Sequence, residues 1–182
     1  IDPWKLNQAE KADLILITHE HHDHFSPEDV EKLRKPGTVI VTIQQVAAQL
    51  KGDVRVVKPG DQMQVMGITV AAVPAYNPAK QFHPQSAGHV GFVLTIGDRR
   101  IYHAGDTDVI PEMAGLQVDV ALLPVGGKYT MNAAEAADAA NRIKPQVAVP
   151  MHWGDIIGAR ADAEAFQKKC HVPVVILEPP PR

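Results

Sequence analysis

The sequence predicts a layered α/β protein with mixed sheets, and three features carry that expectation. Short apolar runs rich in β-branched residues alternate with stretches of helical period, which is the pattern of β-α units. Two hairpins with strand period, turning at Gly67 and at Gly97-Asp98, interrupt the alternation in the middle of the chain. The 182 residues suffice for one substantial core, and 45% apolar with 21% charged residues is the composition of a folded globular chain. One domain over residues 1–182 is expected.

The first element is the aliphatic run from Ala12 to Ile17, short enough for a buried strand. Ser26-Pro27 followed by Glu28 and Asp29 then opens a helix, with serine as cap and proline in the first turn. That helix runs to about Lys35, where Pro36-Gly37 stops it. Thr38 to Val41 reads as a strand, Gln45 to Leu50 as a short helix, and Val54 to Val57 as a strand. The hairpins pair Gln62–Val65 with Ile68–Val73, and Val90–Ile96 with Arg100–His103. Val118 to Val125 is the next strand. Asn132 and Glu135 form a cap pair opening an alanine-rich helix to about Ile143. Val147–Val149 is a strand, Arg160–Lys169 a helix and Val172–Leu177 a last strand before Pro179-Pro180-Pro181.

Charge and length exclude several roles. A net charge of −3 gives no electrostatic reason to expect nucleic acid or an anionic membrane as partner. No apolar run approaches the roughly 20 residues that span a bilayer. The one cysteine, Cys170, has no internal disulfide partner, and the cytoplasm is the expected compartment. Ile1-Asp2-Pro3-Trp4 reads as a strand end entering a loop, so the chain is expected to begin inside a longer protein.

The chemistry is concentrated behind the first strand. Thr18-His19-Glu20-His21-His22-Asp23-His24 sets four histidines and two carboxylates in a strand-end loop, a ligand mixture suited to borderline-soft metals. Four imidazoles so close would repel one another if protonated, so a purely solvated turn gains nothing from them. Residues two apart point the same way in an extended loop, so His19 and His21 converge on one ion while Asp23 and His24 turn toward a second. Each ion wants about four ligands, and the loop cannot supply them all. His152, in Pro150-Met151-His152-Trp153-Gly154, and Asp106, in His103-Ala104-Gly105-Asp106-Thr107, each follow a strand. His83 lies in the polar loop from Asn77 to Gly88, with His89 as the alternative six residues later.

A His-x-His-x-Asp-His loop, then a His, then Gly-Asp-Thr, then Pro-x-His resembles the metallo-β-lactamase-fold hydrolase superfamily. Tyr102 to Thr107, Leu123-Pro124-Val125-Gly126 and Tyr129-Thr130-Met131 are similar to its subgroup of small metal-dependent hydrolases related to the ascorbate-phosphate lactonases. The resemblance runs to about residue 177. It implies a four-layer αβ/βα sandwich of two mixed β-sheets, with a dinuclear site at one edge and two further strands before the position of Ile1. It also implies that His19, His21 and His83 hold one ion, that Asp23, His24 and His152 hold the other, and that Asp106 bridges them. Zinc, manganese and iron all suit histidines mixed with carboxylates.

Two ions about 3.5–4 Å apart lower the pKa of a shared water toward 7, which supplies a bridging hydroxide as nucleophile. The expected activity is therefore hydrolysis of an ester, lactone, amide or phosphodiester in a small-molecule substrate. Asp23 is the expected proton handler, with Asp106 its catalytic partner at the ions. No Gly-x-Ser-x-Gly elbow or supported Cys/His pair offers a side-chain nucleophile. Lys128 and Tyr129 lie where a substrate oxyanion or phosphate could be met, or in a solvated loop. His22 is expected to face solvent or support a ligand, His103 to be a buried structural histidine or to hydrogen-bond a metal ligand, and His171 and Cys170 to be uninvolved. Two other classes use this fold: di-iron oxidoreductases, which resemble a His-x-Glu-x-Asp loop where this chain has His21, and nucleic-acid-processing enzymes, which carry extra domains or a basic arm. The substrate, the metal and the oligomeric state are left open by the sequence.

Overall fold

The first sheet grows directly from β-α alternation. The structure, a computed structural model, describes residues 1–7 and 10–178. Strand β1 (Leu14–Ile17) leads through helix α1 (Pro27–Leu33) to β2 (Val39–Thr42), and helix α2 (Gln44–Ala47) leads on to β3 (Asp53–Val56). The three strands pair in parallel in the order β1-β2-β3. The predicted cap of α1 is present: Ser26 Oγ accepts from the Asp29 backbone N–H at 3.2 Å, and proline occupies the first turn.

The second sheet has six strands, β4 (Gln62–Val65), β5 (Ile68–Pro74), β6 (Val90–Ile96), β7 (Arg99–His103), β8 (Val120–Pro124) and β9 (Val147–Met151), in sequence order. Strands β4 to β7 pair antiparallel, as the hairpin turns predict, and β7-β8-β9 pair in parallel. The parallel crossover carries helix α3 (Ala133–Ile143), and helix α4 (Arg160–Lys169) follows β9. Asn132 Oδ1 accepts from the N–H groups of Ala134 and Glu135, while Glu135 Oε2 accepts from the Asn132 N–H at 2.8 Å. This is the capping box that the sequence announces.

Strand β2 is buried along its whole length, so both of its faces must be covered. Val30 of α1 and Val46 of α2 share an apolar cluster with β1, β2 and the residues Val70, Ala72, Phe92 and Leu94 of the second sheet. A second cluster joins Tyr102, Ala121, Leu123 and Ala148 of that sheet to Phe166 of α4 and the alanine face of α3. Small side chains let α3 approach the sheet closely. The result is the four-layer αβ/βα sandwich of mixed sheets, with three strands in one sheet and six in the other.

The last expected strand is a correction. Residues 172–177 form only an isolated bridge, Val174 beside Ala148, closed by Ala148 N–H to Pro173 O at 2.9 Å and Val175 N–H to Ala148 O at 3.0 Å. The next residue of β9 facing that segment is Pro150, which has no N–H, and its carbonyl accepts from the Trp153 indole at 3.1 Å. The ladder therefore stops after one rung. Strand β8 begins at Val120 rather than Val118 because Asp119 turns back to accept from the Arg100 N–H at 2.7 Å. Helix α2 is one turn shorter at its end than expected and starts one residue earlier. Pro179-Pro180-Pro181 lies outside the described residues.

The loops that leave β1, β5, β7 and β9 meet at one edge of the sandwich, at the carboxyl ends of these strands. There the Val90 N–H donates to Thr18 O at 3.2 Å, tying the start of β6 to the end of β1. In folds of this kind the loops at strand ends carry the chemistry.

Candidate metal centre

Seven side chains from four loops converge at that edge. His19, His21 and His83 offer ligand atoms within 4.8 Å of one another, as do Asp23, His24 and His152, and as do His19, His24 and Asp106. Together these groups contain every residue that the sequence pattern put forward. The third group takes one histidine from each of the other two and adds Asp106. That carboxylate stands between the sets: its Oδ2 is 3.4 Å from His83 Nε2 and 3.4 Å from His152 Nε2, and its Oδ1 is 3.2 Å from His24 Nε2.

The strand ends explain the convergence. β1 stops at Ile17, and the chain then turns tightly enough that the N–H groups of His24 and Phe25 both donate to the His21 carbonyl. His19 is wholly buried, whereas the His22 side chain points away into solvent, as expected. Asp106 follows Gly105, whose φ of +64° and approach to the Val90 carbonyl leave no room for a Cβ. His152 follows β9 with φ of +57°, and a Cβ on Gly126 would meet the His152 carbonyl at 2.6 Å.

The alternative at the fifth histidine position is separated by geometry. His83 Nε2 lies 2.9 Å from His21 Nδ1 and faces Asp106. His89 is equally buried but aims Nε2 at Glu20, 3.1 Å from Oε2, and belongs to none of the converging groups.

Hydrogen bonds around the ligand rings set their tautomers, and the residue that sets two of them was missed by the sequence reading. Asp2 is buried. Burial would raise its carboxyl, but the His24 hydrogen bond and charge hold it below the usual carboxylate range, so it is an acceptor only. It accepts from the Thr18 N–H, from the Thr18 hydroxyl and from His24 Nδ1, each at 2.8 Å. His24 must therefore carry a proton on Nδ1, so Nε2, on the side of Asp106, is the atom left to bind an ion once its own proton is released. The single Thr18 hydroxyl proton is spent on Asp2, so the contact of 2.9 Å between Thr18 Oγ1 and His19 Nδ1 requires His19 to be the donor. One carboxylate thus frees Nε2 on two rings, one from each set. Orienting partners of this kind are usual for metal-ligating histidines. An aspartate before a proline near residue 1 carries no sequence signal of such a role; only the seating of Asp2 beside the end of β1 reveals it, through the Asp2 N–H to Leu16 O bond at 2.9 Å.

Asn77 was missed as well. Its buried amide nitrogen donates to the carbonyls of Phe82 at 2.9 Å and Tyr129 at 2.7 Å, and lies 3.1 Å from His83 Nδ1. Lys80 ties the same loop to Asp108 and to the Thr130 carbonyl.

The donor set fits divalent cations. His19 Nε2 and His83 Nε2 both crowd His21 Nδ1, at 3.1 and 2.9 Å, and one proton cannot satisfy both contacts. Ligand nitrogens 2.0–2.1 Å from a tetrahedral ion would stand about 3.3 Å apart, close to what is found. His24 Nε2 and Asp106 Oδ1 are buried and face each other at 3.2 Å without a well-formed hydrogen bond, an arrangement that a cation between the sets would satisfy.

Electrostatics separate the two sets. Burial, reinforced by the neighbouring rings, pushes His19 well below the ordinary histidine value and His83 down to about 4, against the pull of Asp106. His24 and His152 are also opposed by burial, yet Asp106, with Asp2 for the first and Asp23 for the second, raises them, His152 to about 9. Asp106 itself is held far below the carboxylate range: burial opposes this, but His24 and His152 overcome it.

The remaining expectations are also placed. His103 is sequestered, with burial pushing it down to about 4, and its Nδ1 accepts from the Gly105 N–H. Tyr129 lines a cavity at the cluster, and the Lys128 ammonium sits over its ring at 5.0 Å. Cys170 caps α4 away from the cluster, its thiol pushed up to about 11 by burial, and the His171 N–H donates to Asn141. Among the described residues no helix is long and apolar enough to cross a membrane.

Residues 1–152 match the family model described as the beta-lactamase superfamily domain. A UPF0173 metal-dependent hydrolase of Methanopyrus kandleri is 35% identical over 184 residues, spanning 92% of this chain and 80% of its own. A solved structure from Parabacteroides distasonis, of a protein named as a metal-dependent hydrolase, superposes with a TM-score of 0.85 at 34% identity, over 97% of this chain and 82% of that one. CmlA, a diiron β-hydroxylase from Streptomyces venezuelae, shares the fold at a TM-score of 0.73 and 15% identity, over 93% of this chain and 44% of its own.

Proposed function

Because this chain belongs to the beta-lactamase superfamily domain family, alongside the UPF0173 metal-dependent hydrolases, we propose that it is a dinuclear metal-dependent hydrolase of a small-molecule substrate. The observation that carries the reading is the convergence of five imidazoles and two carboxylates into two sets that share Asp106. His19, His21 and His83 would hold one divalent ion, Asp23, His24 and His152 the other, and Asp106 would bridge them. Zinc is the first candidate, with manganese or iron also compatible with this donor set. Such ions, when bound, supply Lewis acidity and bring the pKa of water toward 7.

The chain's own groups do the rest. Asp2 and Thr18 hold the Nδ1 atoms of His24 and His19 as donors, so that Nε2 is the ligand atom each ring offers. Asp23, whose side chain is 14% exposed against 4% for Asp106, stands where the cluster opens and is the group that takes the proton of the attacking water and returns it to the leaving group. Burial would raise its carboxyl, but the hydrogen bond of His152 and the charge of His24 keep it low, so it is ionised. Asp106 fixes the spacing of the two sets and is the carboxylate whose loss should be least tolerated. The reaction class is hydrolysis of an ester, lactone, amide or phosphodiester.

Metal analysis joined to a screen of lactone, phosphodiester and thioester substrates, on the parent chain and on His19→Ala, tests this. Two ions per chain and hydrolysis that disappears in the variant are expected. Metal-loaded protein that cleaves none of these classes, or one whose iron-to-ligand absorption band accompanies an oxidation, would overturn it.

A further inference from the structure

We infer that the substrate carries an uncharged apolar group, as an alkyl or aryl carboxylic ester or lactone does, and that Phe82, Tyr129 and Ile156 form the wall that receives it. The inference rests on the hydrolase reading above. A cavity of about 220 Å³ opens onto the candidate ligands, and these three side chains share it with His21, His83 and Asp106. At ~30 Å³ for each water-sized group, it has room for roughly seven such groups beside the reacting atoms. None of its described lining residues is lysine or arginine, and the Lys128 ammonium is held over the Tyr129 ring, 5.0 Å from its centroid.

Two of the wall residues are left in water at a cost. Phe82 is 45% exposed and Ile156 is 40% exposed, immediately beside the most polar cluster of the molecule. Apolar area held open at a concave polar site marks a place where a ligand completes the burial. The wall is also built rather than incidental. The Phe82 and Tyr129 rings pack edge to face with centroids 5.0 Å apart, and Lys128 lies over the Tyr129 ring. Asn77 hydrogen-bonds the backbone carbonyls of both aromatic residues while its amide touches the His83 ring. A single buried residue therefore holds the apolar wall in register with a candidate ligand. That arrangement orients an acyl or alkyl tail against the rings while its carbonyl lies at the cluster. A phosphodiester gains nothing from the wall unless its own substituents are apolar.

The test uses the zinc-loaded chain with δ-lactones whose unbranched tails grow to about eight carbons, and with glycerophosphoethanolamine, a phosphodiester whose substituents are polar, for comparison. Binding of straight-chain carboxylates of the same lengths is measured by calorimetry, which reads the wall without turnover. We expect kcat/KM to rise about threefold per methylene up to roughly six carbons, and Kd for the carboxylates to fall in parallel. Phe82→Ala and Phe82→Asp should each lower the ratio of long-tail to short-tail values about tenfold or more. Met66→Ala, at an exposed turn between β4 and β5, should keep the parent slope. Hydrolysis and binding both indifferent to tail length would overturn this inference and leave hydrolysis standing. A kcat/KM for the phosphodiester above that of every lactone would also overturn it. Carboxylate binding that strengthens with length while no lactone is cleaved would support the wall and count against hydrolysis.

Discussion

Replacing Asp2 by asparagine should cripple metal binding while leaving the fold nearly intact. The substitution is isosteric, so no cavity forms, but it removes the one atom that accepts both the Thr18 hydroxyl proton and the His24 Nδ1 proton. With its NH2 at that position, asparagine donates to His24 Nδ1 and to Thr18 Oγ1. His24 must then place its proton on Nε2, and the freed Thr18 hydroxyl donates to His19 Nδ1, which moves that ring's proton to Nε2 as well. Both lone pairs that face Asp106 are lost. The opposite amide orientation sets NH2 against the Thr18 N–H, two donors 2.8 Å apart in a buried site. Loss of an orienting partner typically weakens ion binding 10- to 100-fold, or about 1.4–2.7 kcal/mol, and here one ligand of each set is affected. Competition against a chromophoric chelator would measure the two dissociation constants, with thermal unfolding of the metal-free protein as the control. Thr18→Val should affect only the His19 arm and cost less. An Asp2→Asn chain that binds two ions with parent affinity would refute the tautomer argument.

Ion binding should depend on pH unequally at the two sets. His24 and His152 are raised, His152 to about 9, so below that pH the Asp23, His24 and His152 set must expel the His152 proton as well as any held by His24, and its affinity should climb about 10-fold or more per pH unit as pH rises toward 9. His19 and His83 are depressed, His83 to about 4, so between pH 6 and 8 these two rings add no such dependence; calorimetry in buffers of different ionisation enthalpy would count the protons released, and equal release at both sets would contradict the assignment. In the chelated protein, His83 and His103 fall to about 4, so the stability they confer is present above the unfolded value near 6.5 and is lost as pH falls toward 4; a Tm that does not drop across that window would show the burial argument to be wrong. His83→Ala should lose one ion per chain, whereas His89→Gln, which breaks only the Glu20 pair, should keep both; metal content after dialysis separates the two. Restoring excess zinc to the chelated chain should raise its Tm, since an ion at 100 times its dissociation constant adds about 2.7 kcal/mol to the folded state.

Most of the candidate site was legible because its ligands sit just past apolar strands, where periodicity and loop chemistry coincide. His19 to His24 declared themselves as a cluster, and Asp106 and His152 each follow a stretch that reads as a strand. His83 could be preferred over His89 only by the polarity of its loop; the reason that holds in space, the Glu20 partner of His89, is invisible along the chain. Asp2, Thr18 and Asn77 carry common polar residue types whose roles come wholly from long-range hydrogen bonds. The elements were read well where caps and hairpin turns are local, as at Ser26 and Asn132. The expected strand over residues 172–177 failed for a non-local reason, the missing N–H of Pro150 on its neighbour. The approach of Gly126 to His152 was equally beyond reach, since it joins loops that follow different strands.

Anomalous diffraction from crystals grown with zinc, collected at the zinc edge, examines directly whether two cations share Asp106. Two peaks within about 4 Å of each other are expected, one among His19, His21 and His83 and the other among Asp23, His24 and His152. A lone peak, or density for zinc anywhere but between these side chains, would contradict the dinuclear centre and the chemistry built upon it.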